Sequence, residues 1–316
     1  MRIIGTGSAL PKLVIKNDEL AEFLDTSDEW IRTRTGIEER RLLSDETLEE
    51  LAVQAAKNAL QDAGIEASDL DFILCSNVMG SYITPALSCI LQGEIKADCP
   101  CLDINGACAG FIYALDMAHA YLKSGKAKTI LIVCAEAVSH MVDWADRSTC
   151  VLFGDGAGAV VVTKGDLFFR RLGTRSNKEL LYSRQKPGNC PFTQNPIPAT
   201  PMYMNGQEVY KFAVSASSED LRAIMQEAGL QAEDIRYYLL HQANMRIINA
   251  IRLRLHQPID KFPYNMNKLG NTSSASIPIL LDELNKKNAL QSGDILAMSA
   301  FGAGLVTGSC ILQWNR

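Results

Sequence analysis

One stretch of this chain is written twice. Gln61-Asp-Ala-Gly-Ile-Glu-Ala-Ser-Asp-Leu-Asp-Phe-Ile-Leu74 lines up with Gln226-Glu-Ala-Gly-Leu-Gln-Ala-Glu-Asp-Ile-Arg-Tyr-Tyr-Leu239 at an offset of 165 residues (226 − 61), about half of the 316-residue chain. In both copies an amphipathic helix ends at a glycine, an acidic turn follows, and an apolar strand begins. Helix–glycine–strand is a common phrase in α/β proteins, but matched identities at half-length go beyond it, and a long period constrains the fold before any other signal does. A looser echo links Phe153-Gly-Asp-Gly-Ala-Gly158 with Phe301-Gly-Ala-Gly304, each leading into an apolar strand. The reading is an α/β protein of two similar halves, residues 1–165 and 166–316.

Periodicity within the halves agrees. Thr47 and Glu50 have the spacing of a helix capping box, and Leu48, Leu51, Ala52, Ala55 and Ala59 follow at helical spacing up to Gly64. The run Asp71–Cys75 reads as a buried strand, and a second helix–strand pair is expected at Gly106–Lys123 and Thr129–Val133. Buried strands alternating with helices predict a parallel sheet covered on both faces. Sites in such folds gather where loops leave the carboxyl ends of strands.

Several function classes are disfavoured. A net charge of −5 argues against general attraction to nucleic acid. The start, MRIIGTGSALPKLV, lacks the apolar core of a signal peptide. The longest apolar runs fall short of the roughly 20 residues of a membrane helix. A cytoplasmic protein without a membrane partner is expected. Nine cysteines and four histidines show no tight recurrent ligand spacing, so no metal site is expected, and most of the thiols read as small buried hydrophobes.

Cys108 is set apart. Asp103-Ile-Asn-Gly-Ala-Cys108-Ala-Gly-Phe places it among small residues directly before a helical pattern. A helix N-terminus stabilises a thiolate through its unpaired N–H groups and dipole. On this segment alone, a cysteine chosen for its size fits equally well. His241 follows the apolar run Tyr237–Leu240, and Asn271 lies in the small-residue turn 268–278 before a helix at Ile279–Asn285. Neutral ring and amide donors at strand ends suit an oxyanion, which hydrogen bonds can hold without a competing base. The turn Phe301-Gly302-Ala-Gly304 could aim a backbone N–H at the same place.

These segments resemble the β-ketoacyl-[acyl-carrier-protein] synthase III family, the condensing enzymes that begin bacterial fatty acid synthesis. The resemblance runs nearly end to end through Gly5-Thr-Gly-Ser, Asp25-Thr-Ser-Asp-Glu-Trp-Ile31, Arg34-Thr-Gly-Ile37, the cysteine segment, Asp146-Arg147, Phe153–Gly158, Met204–Tyr210, His241-Gln-Ala-Asn-Met-Arg246, Gly270–Ser276 and the final glycine turn. It implies a thiolase-like five-layered αβαβα sandwich and a homodimer. It also implies an acyltransferase reaction. Cys108 would take the acyl group of an acyl-coenzyme A, which is substrate and not resident cofactor. His241 and Asn271 would then hold the thioester oxygen of malonyl-acyl-carrier protein as it loses carbon dioxide and attacks the acyl-Cys108 carbonyl. The backbone N–H groups of Cys108 and Gly302 would form the oxyanion hole. Trp30 and Arg147 would flank the adenine of coenzyme A, with Arg34 near its phosphates. Lys211 and Arg246 would receive the acidic carrier protein, with Arg252 and Arg254 extending the patch. The chain departs from the family twice. Thr84 stands where several acetyl-preferring relatives carry a phenylalanine that closes the acyl pocket, and Ala303 replaces a common glycine.

Other readings are weaker. Papain-like hydrolases also run Cys, His, Asn, at a comparable 133-residue spacing (241 − 108), but their local signature is missing. Gly154–Gly158 precedes a strand, whereas a dinucleotide loop follows one and opens a helix. The nearer alternative lies inside the fold, an acyltransferase or condensing enzyme of specialised, polyketide-like metabolism.

Overall fold

The computed structural model describes residues 1–165, 167–185, 191–192 and 198–316. Cys190 and the expected start of the second half at residue 166 lie outside the described residues. The chain begins with β1 (Arg2–Ala9), β2 (Leu13–Lys16), α1 (Asn17–Ala21), α2 (Asp28–Thr35) and β3 (Glu39–Leu42). Next come α3 (Leu48–Ala63), β4 (Phe72–Ser76), α4 (Leu87–Ile95), β5 (Cys101–Ile104), α5 (Gly110–Lys123), β6 (Thr129–Ala137) and β7 (Asp155–Thr163). The second part holds β8 (Phe168–Thr174), β9 (Leu181–Arg184), β10 (Thr200–Met204), α6 (Gly206–Ala228), β11 (Ile235–Leu240), α7 (Met245–Arg254), α8 (Met266–Leu269), α9 (Ser276–Lys286), β12 (Ile295–Gly302) and β13 (Val306–Gln313).

Both copies of the duplicated phrase fold alike. The capping box forms at α3, where Thr47 Oγ1 accepts from the Glu50 N–H at 3.2 Å and Glu50 Oε2 accepts from the Thr47 N–H at 2.8 Å. Helices α3 and α6 both stop at a glycine in the left-handed region, Gly64 (φ 67°) and Gly229 (φ 67°), a conformation that costs a Cβ-bearing residue more. The acidic turns match as well. Asp69 accepts from the Glu66 N–H at 2.9 Å, and Asp234 accepts from the Gln231 N–H at 2.7 Å. The strands that follow, β4 and β11, each pair in parallel with a neighbour, β6 and β12.

The first sheet has the order β1-β7-β6-β4-β5 and the second β11-β12-β13-β8. Both are mixed, which corrects the expectation of a parallel sheet. Helical crossovers carry β4 to β5 and β5 to β6 and keep those strands parallel. The link from β6 to β7 and the turn from β12 to β13 contain no α-helix, and those pairs are antiparallel. Burial on both faces holds, since β7 is buried from Asp155 through Val162. Three apolar layers explain this. One packs α3 and α4 on the outer face of the first sheet, and another packs α6 and α7 on the outer face of the second. Between the sheets, α5 and α9 pack against strands of both and share one core. The order is helix, sheet, helix, sheet, helix. Among the described residues, no helix is long and apolar enough to cross a membrane.

The glycine run at 154–158 has a packing role. A Cβ at Gly154 would stand 2.1 Å from the Leu269 carbonyl, and one at Gly158 would stand 2.8 Å from the Ile279 nitrogen, so the run lets α8 and α9 lie close on β7. Asp155 accepts from the Ser139 N–H and hydroxyl at 2.9 and 2.6 Å and from the Leu43 N–H at 2.9 Å. That carboxylate closes loops, and no phosphate cradle forms there.

Candidate active site

The two central helices begin in the same way. Residues 107–109 and 273–275 form short 3-10 turns just ahead of α5 and α9. Each turn opens on a residue with positive φ, Ala107 at 46° and Ser273 at 51°. Each is held by an asparagine two residues upstream. Asn105 Oδ1 accepts from the Ala107 N–H at 3.1 Å, and Asn271 Oδ1 accepts from the Ser273 N–H at 2.9 Å. The offset is now 166 (271 − 105), so the Cys108 turn and the Asn271 turn are duplicates of one another.

The consequence for Asn271 is chemical. Its carbonyl oxygen is committed to a backbone N–H, which fixes the amide's orientation and leaves the Nδ2 hydrogens for other acceptors. The residue is buried, bridged to Phe153 in parallel fashion, and it lines the central cavity. His241, just after β11, is anchored by its N–H to the Ser299 carbonyl at 2.8 Å. Its Nδ1 lies 2.8 Å from Ser276 Oγ, and that oxygen also accepts from the Gln242 N–H at 3.4 Å. We assign the Ser276 hydroxyl as donor to Nδ1, which leaves Nε2 as the protonated nitrogen. Burial holds the imidazole down at about 3, from an ordinary 6.5, so the ring is neutral. An edge contact with Phe301, centroids 5.3 Å apart, limits its tilt.

Cys108 lies at the base of the same cavity of about 940 Å³. Its Sγ is 3.4 Å from Ser273 Oγ. Burial pushes the thiol up to about 12, and the Glu136 carboxyl adds to that, while the Ser273 hydroxyl opposes it. The side chain keeps some exposure to the cavity, and the backbone N–H groups leading into α5 oppose that rise by favouring the thiolate. Gly302 ends β12 against the same turn. A Cβ there would stand 2.7 Å from the Cys108 nitrogen and 3.0 Å from the Ala107 Cβ. The backbones of residues 108 and 302 therefore touch, and only glycine permits the approach.

At the mouth, Trp30 and Arg34 stand on α2. The Arg34 guanidinium carbon lies 4.6 Å from the Trp30 ring centroid and that of Arg147 5.1 Å from it. Arg147 also pairs with Asp25 at 3.0 Å. Arg246, at the start of α7, lines the mouth and donates to the Thr33 carbonyl at 3.2 Å. Lys211 is exposed on α6 beside the cavity-lining Tyr210 and pairs with Glu208 at 2.8 Å. Arg252 and Arg254 sit in the last turn of α7. Thr84 is not brought to the cavity. It lies in the exposed segment 81–85, next to Ile83 at 88% exposure.

Cys108, His241, Asn271 and Gly302 thus meet around one cavity floor, tied together by the 273–276 turn. The arrangement offers a sulfur nucleophile and neutral N–H donors, which suits attack on a carbonyl and stabilisation of the oxygen charge that develops. Sequence reasoning missed Glu136, Ser273 and Ser276. A signal for the turn existed, because an offset of 166 sets Asn271-Thr-Ser-Ser-Ala-Ser against Asn105-Gly-Ala-Cys-Ala-Gly. Nothing in the sequence marks Glu136, which sits in an otherwise apolar strand.

Comparison with known proteins bears on this site. The family model described as 3-oxoacyl-[acyl-carrier-protein (ACP)] synthase III matches residues 102–176, and the one for the C terminal of that synthase matches residues 225–314. A β-ketoacyl-[acyl-carrier-protein] synthase III of Aquifex aeolicus is 44% identical over 99% of both chains. The synthase III of Clostridium acetobutylicum is 40% identical over 100% of this chain and 99% of its own. The crystal structure of the Aquifex aeolicus enzyme superposes with a TM-score of 0.92, covering 99% of each chain. The priming β-ketosynthase of the R1128 polyketide pathway superposes at 0.93 with 33% identity, covering 100% of this chain and 96% of its own.

Proposed function

The chain belongs to the β-ketoacyl-[acyl-carrier-protein] synthase III family, and from that premise we propose that its cavity joins an acyl-coenzyme A primer to malonyl-acyl-carrier protein. The fold is the thiolase-like α/β sandwich of that family, and the enzyme is an acyltransferase-type condensing enzyme performing the initiating condensation of fatty acid synthesis. The observation that carries the residue roles is the convergence of a half-buried thiol, a neutral imidazole and an oriented carboxamide on one cavity floor.

In this reading Cys108 attacks the primer thioester, coenzyme A leaves, and an acyl-enzyme remains. The N–H groups of residues 108 and 302 hold the oxyanion of the tetrahedral adduct. Malonyl-carrier then loses carbon dioxide. The Nε2–H of His241 and the Nδ2–H of Asn271 donate to the thioester oxygen as enolate charge grows, and the carbanion attacks the acyl-Cys108 carbonyl. A neutral His241 suits the task, because a proton donor that keeps its proton stabilises the enolate without quenching it.

Trp30 and Arg147 supply an aromatic face and a planar cation for the adenine, and Arg34 a charge for the phosphates. The guanidinium of Arg147 occupies that face and would slide aside to admit a ring. Arg246 at the mouth and Lys211 beside it offer positive charge to an acidic carrier, and Arg252 and Arg254, in the last turn of α7, would extend that patch away from the mouth. Segment 81–85 and the edge strand β5, with Tyr82, Ile83 and Leu102 exposed, are surfaces that a second copy would cover, which favours a homodimer. Thr84 then acts on primer length only across that interface. The reading as a condensing enzyme of specialised metabolism has less support, since the polyketide priming enzyme is 33% identical whereas the synthases III of Aquifex aeolicus and Clostridium acetobutylicum are 44% and 40% identical.

The test is incubation with acetyl-, isobutyryl- and octanoyl-coenzyme A, followed by intact mass of wild type and Cys108→Ala, and then addition of malonyl-acyl-carrier protein. Acylation lost in Cys108→Ala and a β-ketoacyl product are expected. An enzyme that acylates yet ignores malonyl-carrier would overturn the condensing step, and one that never acylates would overturn the whole reading.

A further inference from the structure

A buried acid lies behind the nucleophile. Glu136, on β6, has Oε1 accepting from the hydroxyls of Ser273 at 3.1 Å and Ser274 at 2.5 Å and from the Ser274 N–H at 3.3 Å. Its Oε2 accepts from the Val78 N–H at 3.1 Å. Ser273 Oγ also stands 3.4 Å from Cys108 Sγ. A hydroxyl has one proton, so it cannot donate to the carboxylate and the sulfur together. With that proton committed to the carboxylate, the oxygen's lone pair is left to the thiol. We propose that Cys108 loses its proton along this wire, from S–H to Ser273 Oγ and from Ser273 O–H to Glu136, so that the nucleophile and the buried carboxyl share one negative charge. The proposal deepens the reading of Cys108 as nucleophile and rests on it.

The step balances. As the sulfur–carbon bond forms, the thiol proton passes to Ser273, the Ser273 proton passes to Glu136, and the carbonyl electron pair moves onto oxygen. When the adduct collapses, the bond to the leaving thiolate breaks. The Glu136 proton then returns through Ser273 to that sulfur. The advantage is electrostatic. A thiolate formed beside an ionised Glu136 would put like charges at the two ends of one hydroxyl, and Glu136 does push the thiol up. Proton transfer removes one charge as the other appears.

Other titratable groups facing Glu136 are Cys75 on β4 and Cys134 on β6, and burial keeps both as neutral thiols. Glu136 itself is held up at about 7 by burial, against the pull of its hydroxyl and N–H donors, and so changes charge near neutrality. Glu136 and Ser273 have different roles here. Ser273 touches the reacting sulfur, whereas Glu136 acts through Ser273 as acceptor and positioning residue.

The test follows alkylation of Cys108 by iodoacetamide against pH, read from the mass of the peptide carrying it, with Cys108→Ala as blank. The wild-type rate should climb with pH up to the Glu136 titration and then level, because above it the thiolate population is set by transfer to Glu136 rather than to solvent. Glu136→Gln should match the wild type within about threefold near pH 6. It should then keep rising about tenfold per unit, to roughly 100-fold faster near pH 9. Ser273→Ala cuts the wire but keeps the charge, so it should react about tenfold slower than wild type near pH 7 and never level. A wild-type rate that never levels, a Glu136→Gln profile that levels, or a Ser273→Ala profile like the wild type would each overturn the relay. Should Glu136→Gln fail to fold, the other two profiles decide. Iodoacetamide is no acyl thioester, so failure of the condensing reading would show separately, as a thiol that alkylates but never acylates.

Discussion

The contact between Gly302 and the Cys108 turn yields the sharpest prediction. In Gly302→Ala the new methyl would stand 2.7 Å from the Cys108 nitrogen, 3.0 Å from the Ala107 Cβ and 3.4 Å from the Cys108 Cβ. All three neighbours are backbone atoms or Cβ atoms fixed by the backbone, so no side chain can swing away. Ordinary contact begins near 3.4 Å, which asks the end of β12 and the 107–109 turn to part by 0.7 Å (3.4 − 2.7). Gly302 is not among the positive-φ glycines, so its backbone accepts alanine and the damage comes from the methyl alone. A donor at a typical ~2.9 Å would move to about 3.6 Å, beyond hydrogen-bond reach. Losing one oxyanion donor costs about 10²- to 10³-fold in rate, and overpacking costs about 1–3 kcal/mol of stability. The assay is single-turnover acylation of Cys108 by acetyl-coenzyme A, with thermal melting alongside. Acylation should fall about 100-fold while melting drops by only a few degrees. Ala303→Gly, which removes a methyl next door, should leave acylation within about threefold and melting within about two degrees of wild type. Acylation of Gly302→Ala within threefold of wild type would refute the view that these two backbones form the oxyanion site.

Further consequences follow from the same geometry. His241→Ala should leave acylation nearly intact but lower condensation about 10²- to 10³-fold, measured by pre-loading the acyl-enzyme before adding malonyl-carrier. Because the His241 pKa in the folded state lies near 3 against an ordinary 6.5, the unfolded chain binds a proton that the native one refuses, so its contribution to stability is full above 6.5 and fades as pH falls toward 3. Melting of wild type should therefore worsen relative to His241→Asn on acidification through that window, and parallel curves would argue against a buried neutral ring. Trp30→Ala and Arg147→Ala should each raise KM for acyl-coenzyme A about tenfold with kcat little changed, and neither should affect a short thioester lacking the nucleotide. Asn105→Ala should slow the acylation step, since its turn carries Cys108, whereas Asn271→Ala should slow condensation. The two single-turnover rates separate them, and loss of the same step in both variants would contradict the assignment.

Much of this was legible in the sequence, for identifiable reasons. The α3 capping box, the closing glycines at 64 and 229 and the strand after each acidic turn are local, and local chemistry survives folding unchanged. Cys108, His241 and Asn271 were legible because each sits at an element's end, where periodicity breaks. Strand direction was not. Whether β7 runs parallel or antiparallel to β6 depends on the path of residues 138–154, which no residue pattern states. Glu136 was hidden because its partners, Ser273 and Ser274, come from 137 and 138 residues away. A lone acid in an apolar strand acquires meaning only from what the fold sets against it. Thr84 is a different case, since a motif match pointed to the acyl pocket and a single chain leaves the residue on the surface, so its reach to a pocket depends on a second copy that no sequence pattern places.

A local geometry that occurs twice accounts for where the chemistry sits. Each half contributes one helix to the layer between the sheets, and an asparagine-held turn with a positive-φ residue starts each of them. Such a turn exposes backbone N–H groups and aims a short side chain past the helix end, whatever that side chain is. In the first copy the third position after the strained residue's asparagine is Cys108, and in the second it is Ser274. The first therefore supplies a nucleophile, and the second supplies hydroxyls that fasten the Glu136 carboxylate. The asparagines have also divided their work. Asn105 holds its turn, while Asn271 holds its turn and is oriented by it, with the Nδ2 side left to act as donor. One helix-start geometry, used twice and varied at a few side chains, brings a thiol, a carboxamide and a buried acid together without any new backbone geometry.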